Sequence, residues 1–217
     1  DNDFDDVTEQ IVSVDTTDDD VAGFTIVELD GSTEVDESGT TDTFTVVLDA
    51  QPTSDVVLTI TSDDTGEATV PASVTFTSAD WDTPQTVTVT GVDDSIIDGT
   101  ITSTITIAVD DANTNDSFDD LADQTVSVDT LDDDTAGFTI EETDAATEVD
   151  ESGTTDTFTV VLDAQPTSDV VLTITSDDTG EATVNNPLTF TPVNWDTPQT
   201  VTVTGTDDDL VDGTITS

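Results

Sequence analysis

Residues 42–62, DTFTVVLDAQPTSDVVLTITS, contain two runs in which apolar residues alternate with threonine and other polar residues. Successive side chains of a β-strand point to opposite faces, so each run presents one apolar face. Phe44, Val46 and Leu48 form that face in the first run, and the segment AQPTS between the runs has the composition of a turn. The stretch therefore predicts two strands, each of which buries one face against a core.

The same stretch returns unchanged at residues 156–176, because the sequence repeats with a period of 114 residues. Residues 1–103 align with 115–217 without a gap, and 79 of these positions are identical. A period of this length suits a whole β-sandwich domain of about 100 residues and is too long for one turn of a solenoid. We therefore expect the last strand and acidic linker of a preceding repeat in residues 1–20, a complete repeat in 21–134, and a second repeat in 135–217 that is truncated before its last strands.

Turn residues separate further alternating runs across residues 21–134, and none of these runs has the period of a helix. The predicted strands are A (23–29 and 33–36), B (42–49), C (55–62), D (68–70 and 73–77), E (85–91), F (104–109) and G (124–129). Besides the three residues of B, alternation predicts inward side chains at Val56, Leu58 and Ile60 (C), Val87 and Val89 (E), Ile105, Ile107 and Val109 (F), and Val126 and Val128 (G). Trp81 and Trp195 are expected to close one end of their cores, the commonest use of a large aromatic side chain. The predicted fold class is all-β, with tandem seven-stranded antiparallel Ig-like sandwiches.

The charge of the chain has no internal compensation, because 52 Asp and Glu residues face no Lys, Arg or His. Two carboxylates about 4 Å apart repel by roughly 1 kcal/mol in water and about 4 kcal/mol near a protein surface. The protein must therefore live in high salt or bind cations. Such a surface predicts no binding to nucleic acid or anionic lipid, and we find no apolar run long enough to insert into a membrane and no signal segment.

Carboxylates concentrate in loops that the predicted topology brings to one end of the sandwich. Antiparallel strands place alternate connections at the same end, so the A–B, C–D and E–F loops meet the exit of strand G. Their acids in the complete repeat are Glu37, Asp63, Asp64, Asp93, Asp94, Asp98, Asp132, Asp133 and Asp134. The acids of the corresponding loops in the other copies are Asp18, Asp19, Asp20, Glu151, Asp177, Asp178, Asp207, Asp208, Asp209 and Asp212.

An all-oxygen set of this kind favours calcium, which takes six to eight oxygen ligands in irregular geometry. Magnesium fits less well because it demands strict octahedral geometry, and the usual zinc sites need His or Cys. A single Asp in a loop is as often a turn former, so the prediction rests on the convergence of four loops. We expect several Ca²⁺ ions per repeat, with Asp132–Asp134 at the junction to the next one. The acidic F–G loop (110–123), at the opposite end, either completes the junction with the preceding repeat or binds an ion of its own.

Several segments of the complete repeat resemble Calx-beta-type and cadherin-like repeats of large bacterial surface proteins and adhesins. They are Val35–Gly39 (VDESG), Phe44–Leu48, Trp81–Gly91, Val92–Asp94 and the closing triplet Asp132–Asp134. The resemblance covers the whole repeat and implies calcium at the distal tip of a seven-stranded sandwich. It implies ligands at Glu37, at Asp63 or Asp64, in the E–F loop and in the closing triplet. The E–F loop, VDDSIIDG, is less acidic than in calcium-sensing members, which favours a structural role.

Three functions compete on these observations. The first is a structural module of a stiff bacterial filament or adhesin stalk outside the cell, whose partners are neighbouring repeats of the same chain or other copies in a fibre. The second is an adhesin module that binds a glycan or a surface, and the third is a halophilic surface protein whose acidity serves solvation without specific ions. An enzyme is not expected, because the chain has no His, Cys, Lys, Arg or Tyr to form the usual nucleophile–base pairs.

Overall fold

The alternating runs of the sequence form strands throughout the computed structural model, which describes residues 8–29, 31–115, 117–144, 146–211 and 213–216. These residues contain fifteen strands and no helix. The first repeat is the complete one at residues 21–134. Its strands are β1 (Phe24–Glu28), β2 (Thr33–Asp36), β3 (Thr41–Leu48), β4 (Val56–Ser62), β5 (Ala68–Thr69), β6 (Ser73–Phe76), β7 (Gln85–Gly91), β8 (Ile101–Val109) and β9 (Gln124–Leu131). Those of the second are β10 (Phe138–Glu142), β11 (Thr155–Leu162), β12 (Val170–Leu172), β13 (Ala182–Val184), β14 (Leu188–Phe190) and β15 (Gln199–Gly205).

Two sheets make the first repeat an Ig-like sandwich, which confirms the predicted all-β class, whereas the tandem arrangement of sandwiches stays a prediction. One sheet has the order β1-β3-β7-β5 and the other β2-β9-β8-β4-β6. Predicted strands A and D each divide between the sheets: β1 pairs with β3 and β2 with β9, whereas β5 pairs with β7 and β6 with β4. The β2–β9 pair is parallel, an exception to the antiparallel prediction. It arises because strand A crosses to the opposite sheet before it ends.

The core of the first repeat lies between the two sheets. Phe44, Phe76, Leu58, Ile105 and Ile107 are among its fully buried side chains. Each such side chain contributes roughly 1.5–3 kcal/mol through removal from water. The predicted inward faces of strands B, C, E and G are buried as expected.

At the edge of this core, Trp81 is half-buried and packs against it, as predicted. Val109, expected to point inward at the end of strand F, is only half-buried. The strands themselves end close to where the sequence places them. Predicted strands F and G each prove longer than expected, since β8 begins at Ile101 and β9 ends at Leu131.

The second repeat forms a four-stranded sheet β10-β11-β15-β13 and a two-stranded sheet β12–β14. Its buried core is smaller and consists of Val160, Leu162, Leu188, Phe190 and Val201. Phe138 is 52% exposed, whereas its counterpart Phe24 in the first repeat is 4% exposed. Residues 10–15, within the segment predicted to be the last strand of a preceding repeat, are exposed and form no strand in this structure. That they belong to such a strand stays a prediction.

None of the described residues belongs to a helix suited to crossing a membrane.

Candidate metal centre

Backbone hydrogen bonds hold the acidic loops of the first repeat together at one tip. The N–H of Glu37, just after β2, donates to the carbonyl of Leu131 at the end of β9 (3.1 Å). The N–H of Val92, just after β7, donates to the carbonyl of Glu67 (2.8 Å). Four segments far apart in sequence therefore converge, as strand parity predicts, and each brings a carboxylate.

Glu37 is the most deeply buried acid of this tip. It is 1% exposed, and neither carboxylate oxygen has a hydrogen-bond partner among the described residues. Burial first, and then the neighbouring carboxylates of Asp94 and Asp132, raise the pKa of Glu37 to about 7. A buried acceptor without a donor costs free energy in any protein. A proton or a cation bound to the carboxylate of Glu37 would remove that cost.

Three carboxylates are close enough to share one ion. An oxygen of each of Glu37, Asp94 and Asp134 lies within 4.8 Å of the other two. One oxygen of Asp134, Oδ2, is buried and unpartnered among the described residues. The pKa of Asp134 is raised by burial and then by Asp132 and Asp133. The arrangement offers several unshared oxygens at a point where carboxylates repel one another, which suits a hard divalent cation.

Asp132 has a different role from Asp134, although both belong to the closing triplet. Its Oδ2 accepts hydrogen bonds from the N–H groups of Asp98 (3.0 Å) and Gly99 (2.8 Å), and its Oδ1 accepts one from Asp134 (2.8 Å). The hydrogen bond from Gly99 is the main reason why the pKa of Asp132 is lowered. Asp132 therefore fixes the β7–β8 loop and the exit of β9 relative to each other. Asp133, the middle residue, is exposed.

Glu67 belongs to the tip but was not among the predicted ligands. It is 7% exposed, and its Oε2 is buried without a partner among the described residues. Burial is the main cause that raises its pKa, followed by the charge of Asp98. The sequence signal was available, since DDTGEATV recurs unchanged around Glu181 in the second copy. Glu67 adjoins β5, and the side chain of a residue next to a strand can face either side of the sheet.

The remaining predicted acids of the complete repeat shape loops or face solvent. Oδ1 of Asp63 accepts from the N–H of Thr104 (2.7 Å), and Oδ1 of Asp64 accepts from Gly66 (2.9 Å). Both side chains are exposed, as is Asp93. Asp98 is also exposed at the surface, yet partial burial and the charge of Asp94 raise its pKa. Asp98 therefore lies at the exposed edge of the cluster, close enough for the charge of Asp94 to raise its pKa.

The corresponding acids of the other copies are not assembled in this way. Among the described residues, a group of three close carboxylates occurs at the tip of the first repeat alone. Asp18, Asp19 and Asp20 are exposed, as are Asp177, Asp178, Asp207 and Asp209, whereas Glu151 and Asp208 are half-buried. Asp212 lies outside the described residues.

The loop between β8 and β9 folds onto its own sandwich. The hydroxyl of Thr114 donates to the carbonyl of Val57 (3.0 Å), and Phe118 is buried in the core. That this loop binds an ion or completes a junction stays a prediction.

Comparison with known proteins gives no family for the chain. No family model matches the sequence, and no curated protein matches it. Solved structures with some similarity include the calcium binding domain CBD12 of CALX1.1, at 15% identity and a TM-score of 0.37 over 85% of this chain and 76% of that one. The E. coli chaperone DraB has 9% identity and a TM-score of 0.38 over 84% of this chain and 87% of that one. A chaperone–tip adhesin complex of CFA/I fimbriae biogenesis has 10% identity and a TM-score of 0.37 over 78% of this chain and 79% of that one. Similarity at this level assigns neither a family nor a function.

Proposed function

We propose that the tip of the first repeat binds calcium through Glu37, Asp94 and Asp134, with Glu67 beside them. The observation that carries the proposal is the buried, unpartnered carboxylate of Glu37. Ionised carboxylates are buried only when they are paired or bound to a metal. This chain has no Lys, Arg or His to pair with them, so a proton or a metal ion must supply the positive charge.

The proposed role of the ion is mechanical. Calcium at this tip would join the end of β2, the β7–β8 loop and the exit of β9, which leads directly into the next repeat. The module is then a structural, non-catalytic unit of a long extracellular bacterial filament or adhesin stalk. Millimolar calcium outside the cell would fill even weak sites. The near-identity of the copies suits a spacer in which every unit bears the same load.

Removal of calcium tests this proposal at constant ionic strength. Calcium at about 100 times its dissociation constant should stabilise the native state by about 2.7 kcal/mol relative to excess EGTA. The first repeat can be followed on its own by the fluorescence of Trp81 in a Trp195→Phe background. If acidity served solvation alone, sodium chloride would stabilise the chain and calcium would add nothing beyond its ionic strength.

Calcium affinity should also depend on pH in a defined direction. The ion requires ionised Glu37, whose pKa is raised to about 7, so protons compete with calcium below that value. The affinity should therefore fall about tenfold between about pH 8 and about pH 6, and the binding should release protons. Calorimetric titration in two buffers of different ionisation enthalpy measures both quantities. An affinity that is constant over this range would show that Glu37 is not a ligand.

A further inference from the structure

The β7–β8 loop of the first repeat is joined to the second repeat by backbone hydrogen bonds. The carbonyl of Ser95 accepts a hydrogen bond from the N–H of Gln165 (2.6 Å), and the N–H of Ile97 donates to the carbonyl of Gln165 (3.2 Å). Ile96 and Gln165 are partners in a parallel β-bridge. Gln165 is therefore held as a residue is held in a parallel β-ladder, although it lies in the connection between β11 and β12.

The turn that holds Gln165 has an identical copy in the first repeat. Residues 163–169 and 49–55 both read DAQPTSD. Each sandwich builds its turn in the same way: the side-chain amide of Gln165 donates to the carbonyl of Pro192 (2.9 Å), and that of Gln51 donates to Ser78 (2.7 Å). Yet Gln165 is half-buried and Gln51 is exposed. Among the described residues, the backbone of Gln51 has no partner equivalent to the β7–β8 loop.

The β7–β8 loop has the same internal hydrogen bond in both repeats, with or without a contact to a following repeat. In the first repeat Oδ1 of Asp94 accepts from the N–H of Ile96 (2.6 Å), and in the second Oδ1 of Asp208 accepts from Leu210 (2.7 Å). The second loop has this shape although nothing covers it among the described residues, since Leu210 is 68% exposed. The bridging residues differ between copies, SII at 95–97 and DLV at 209–211, whereas the receiving turn does not vary. Recognition through the backbone explains why the loop tolerates this change.

The segment that leads from the closing triplet into the first strand has the same length ahead of both repeats. Residues 18–24 read DDDVAGF and residues 132–138 read DDDTAGF, so the closing triplet stands at the same distance from the first strand in both places. We propose that the turn Asp49–Pro52 is a docking surface for the β7–β8 loop of a preceding copy of this repeat, bound through the N–H and carbonyl of Gln51. Successive repeats then meet at a fixed backbone bridge, and this bridge does not require calcium.

Hydrogen exchange tests the docking surface with a matched pair inside one chain. In the 217-residue chain, the N–H of Gln165 should exchange at least about tenfold more slowly than that of Gln51, because of these two only Gln165 has a hydrogen-bond partner for its N–H among the described residues. Fusing a copy of residues 21–114 ahead of residue 1 completes the preceding repeat. In that extended chain the protection of Gln51 should rise to that of Gln165, with and without EGTA. Gln51 left unprotected there, or Gln165 unprotected in the shorter chain, would overturn the proposal.

Paired substitutions give a second readout. Gln165→Pro removes the donor N–H and should broaden the distribution of distances between labels on the two repeats, whereas Gln51→Pro should leave that distribution unchanged. In the extended chain, Gln51→Pro should loosen the new joint instead. The emission of Trp81 and Trp195 reports whether either sandwich has been damaged. Equal effects of the two variants in the 217-residue chain would contradict a joint at Gln165.

Discussion

The Glu37→Gln variant should be more stable than the native chain without calcium and should gain nothing from calcium. Burial and nearby carboxylates raise the pKa of Glu37 from 4.5 to about 7, so its ionisation at about pH 8 costs the folded state about 3 kcal/mol. This stabilising contribution of the neutral acid is fully present below about pH 4.5 and is lost as the pH rises through about 7. Glutamine keeps the shape, removes the charge and donates hydrogen bonds to the remaining carboxylates. Urea unfolding of the Trp195→Phe chain, followed by Trp81 in EGTA and in calcium, measures both effects.

Glu151→Gln is the matched control, because Glu151 stands at the same place in an identical segment of the second repeat. Glu151 is half-buried and is not part of a close group of carboxylates among the described residues. Its replacement should change stability by less than about 0.5 kcal/mol, as for most surface positions. A Glu37→Gln variant that keeps the full calcium response would remove Glu37 from the site. One that loses stability in EGTA would show that its carboxylate is already paired in the native chain.

Strand alternation carries most of the information about this fold. The residues predicted to face inward on strands B, C, E and G are buried, because a period of two leaves one face for the core. The crossing of strand A to the second sheet was not predictable in this way. The breaks in the alternating pattern after Leu29 and near Pro71 predict where strands A and D are interrupted. They do not predict the pairing partner, because Thr33 of β2 pairs with Val128 of β9, about 95 positions away.

Parity of the strands likewise predicts which loops meet, but not which carboxylates face one another. The sequence presents Asp132, Asp133 and Asp134 as three equal acids. In the structure Asp132 accepts backbone hydrogen bonds, Asp133 is exposed and Asp134 faces Glu37 and Asp94. The direction in which each of these carboxylates points depends on local backbone angles, which the composition of the loop does not specify. Asp132→Asn should therefore perturb the β7–β8 loop as well as the charge, because Oδ2 of Asp132 accepts hydrogen bonds from Asp98 and Gly99.

Gly91→Ala should destabilise the first repeat and disrupt the acidic tip together. A Cβ on Gly91 would overlap the carbonyl oxygen of Asp36 and would lie 2.9 Å from its carbonyl carbon. Both atoms belong to backbone that cannot rotate away, so β7 must separate from the end of β2. Overpacking of this kind costs about 1–3 kcal/mol and occasionally more. Glu37 follows Asp36, and Asp94 follows Gly91 by three residues, so the same separation should pull two of the proposed ligands apart.

Gly205→Ala is the matched control for this effect. Its Cβ would meet the backbone of Asp150 in the same way, at 2.8 Å from the carbonyl carbon, but in the repeat that lacks the assembled tip. Both variants should destabilise their own repeat, as reported by Trp81 and Trp195 respectively, yet only Gly91→Ala should weaken calcium binding at the Glu37 tip. Gly66→Ala adds a milder comparison, since its Cβ would lie 3.1 Å from Oδ1 of Asp64, which belongs to a side chain and not to the backbone. Calcium affinity that is unchanged in a folded Gly91→Ala protein would mean that the ion does not bridge the ends of β2 and β7, and the proposed site would have to be withdrawn.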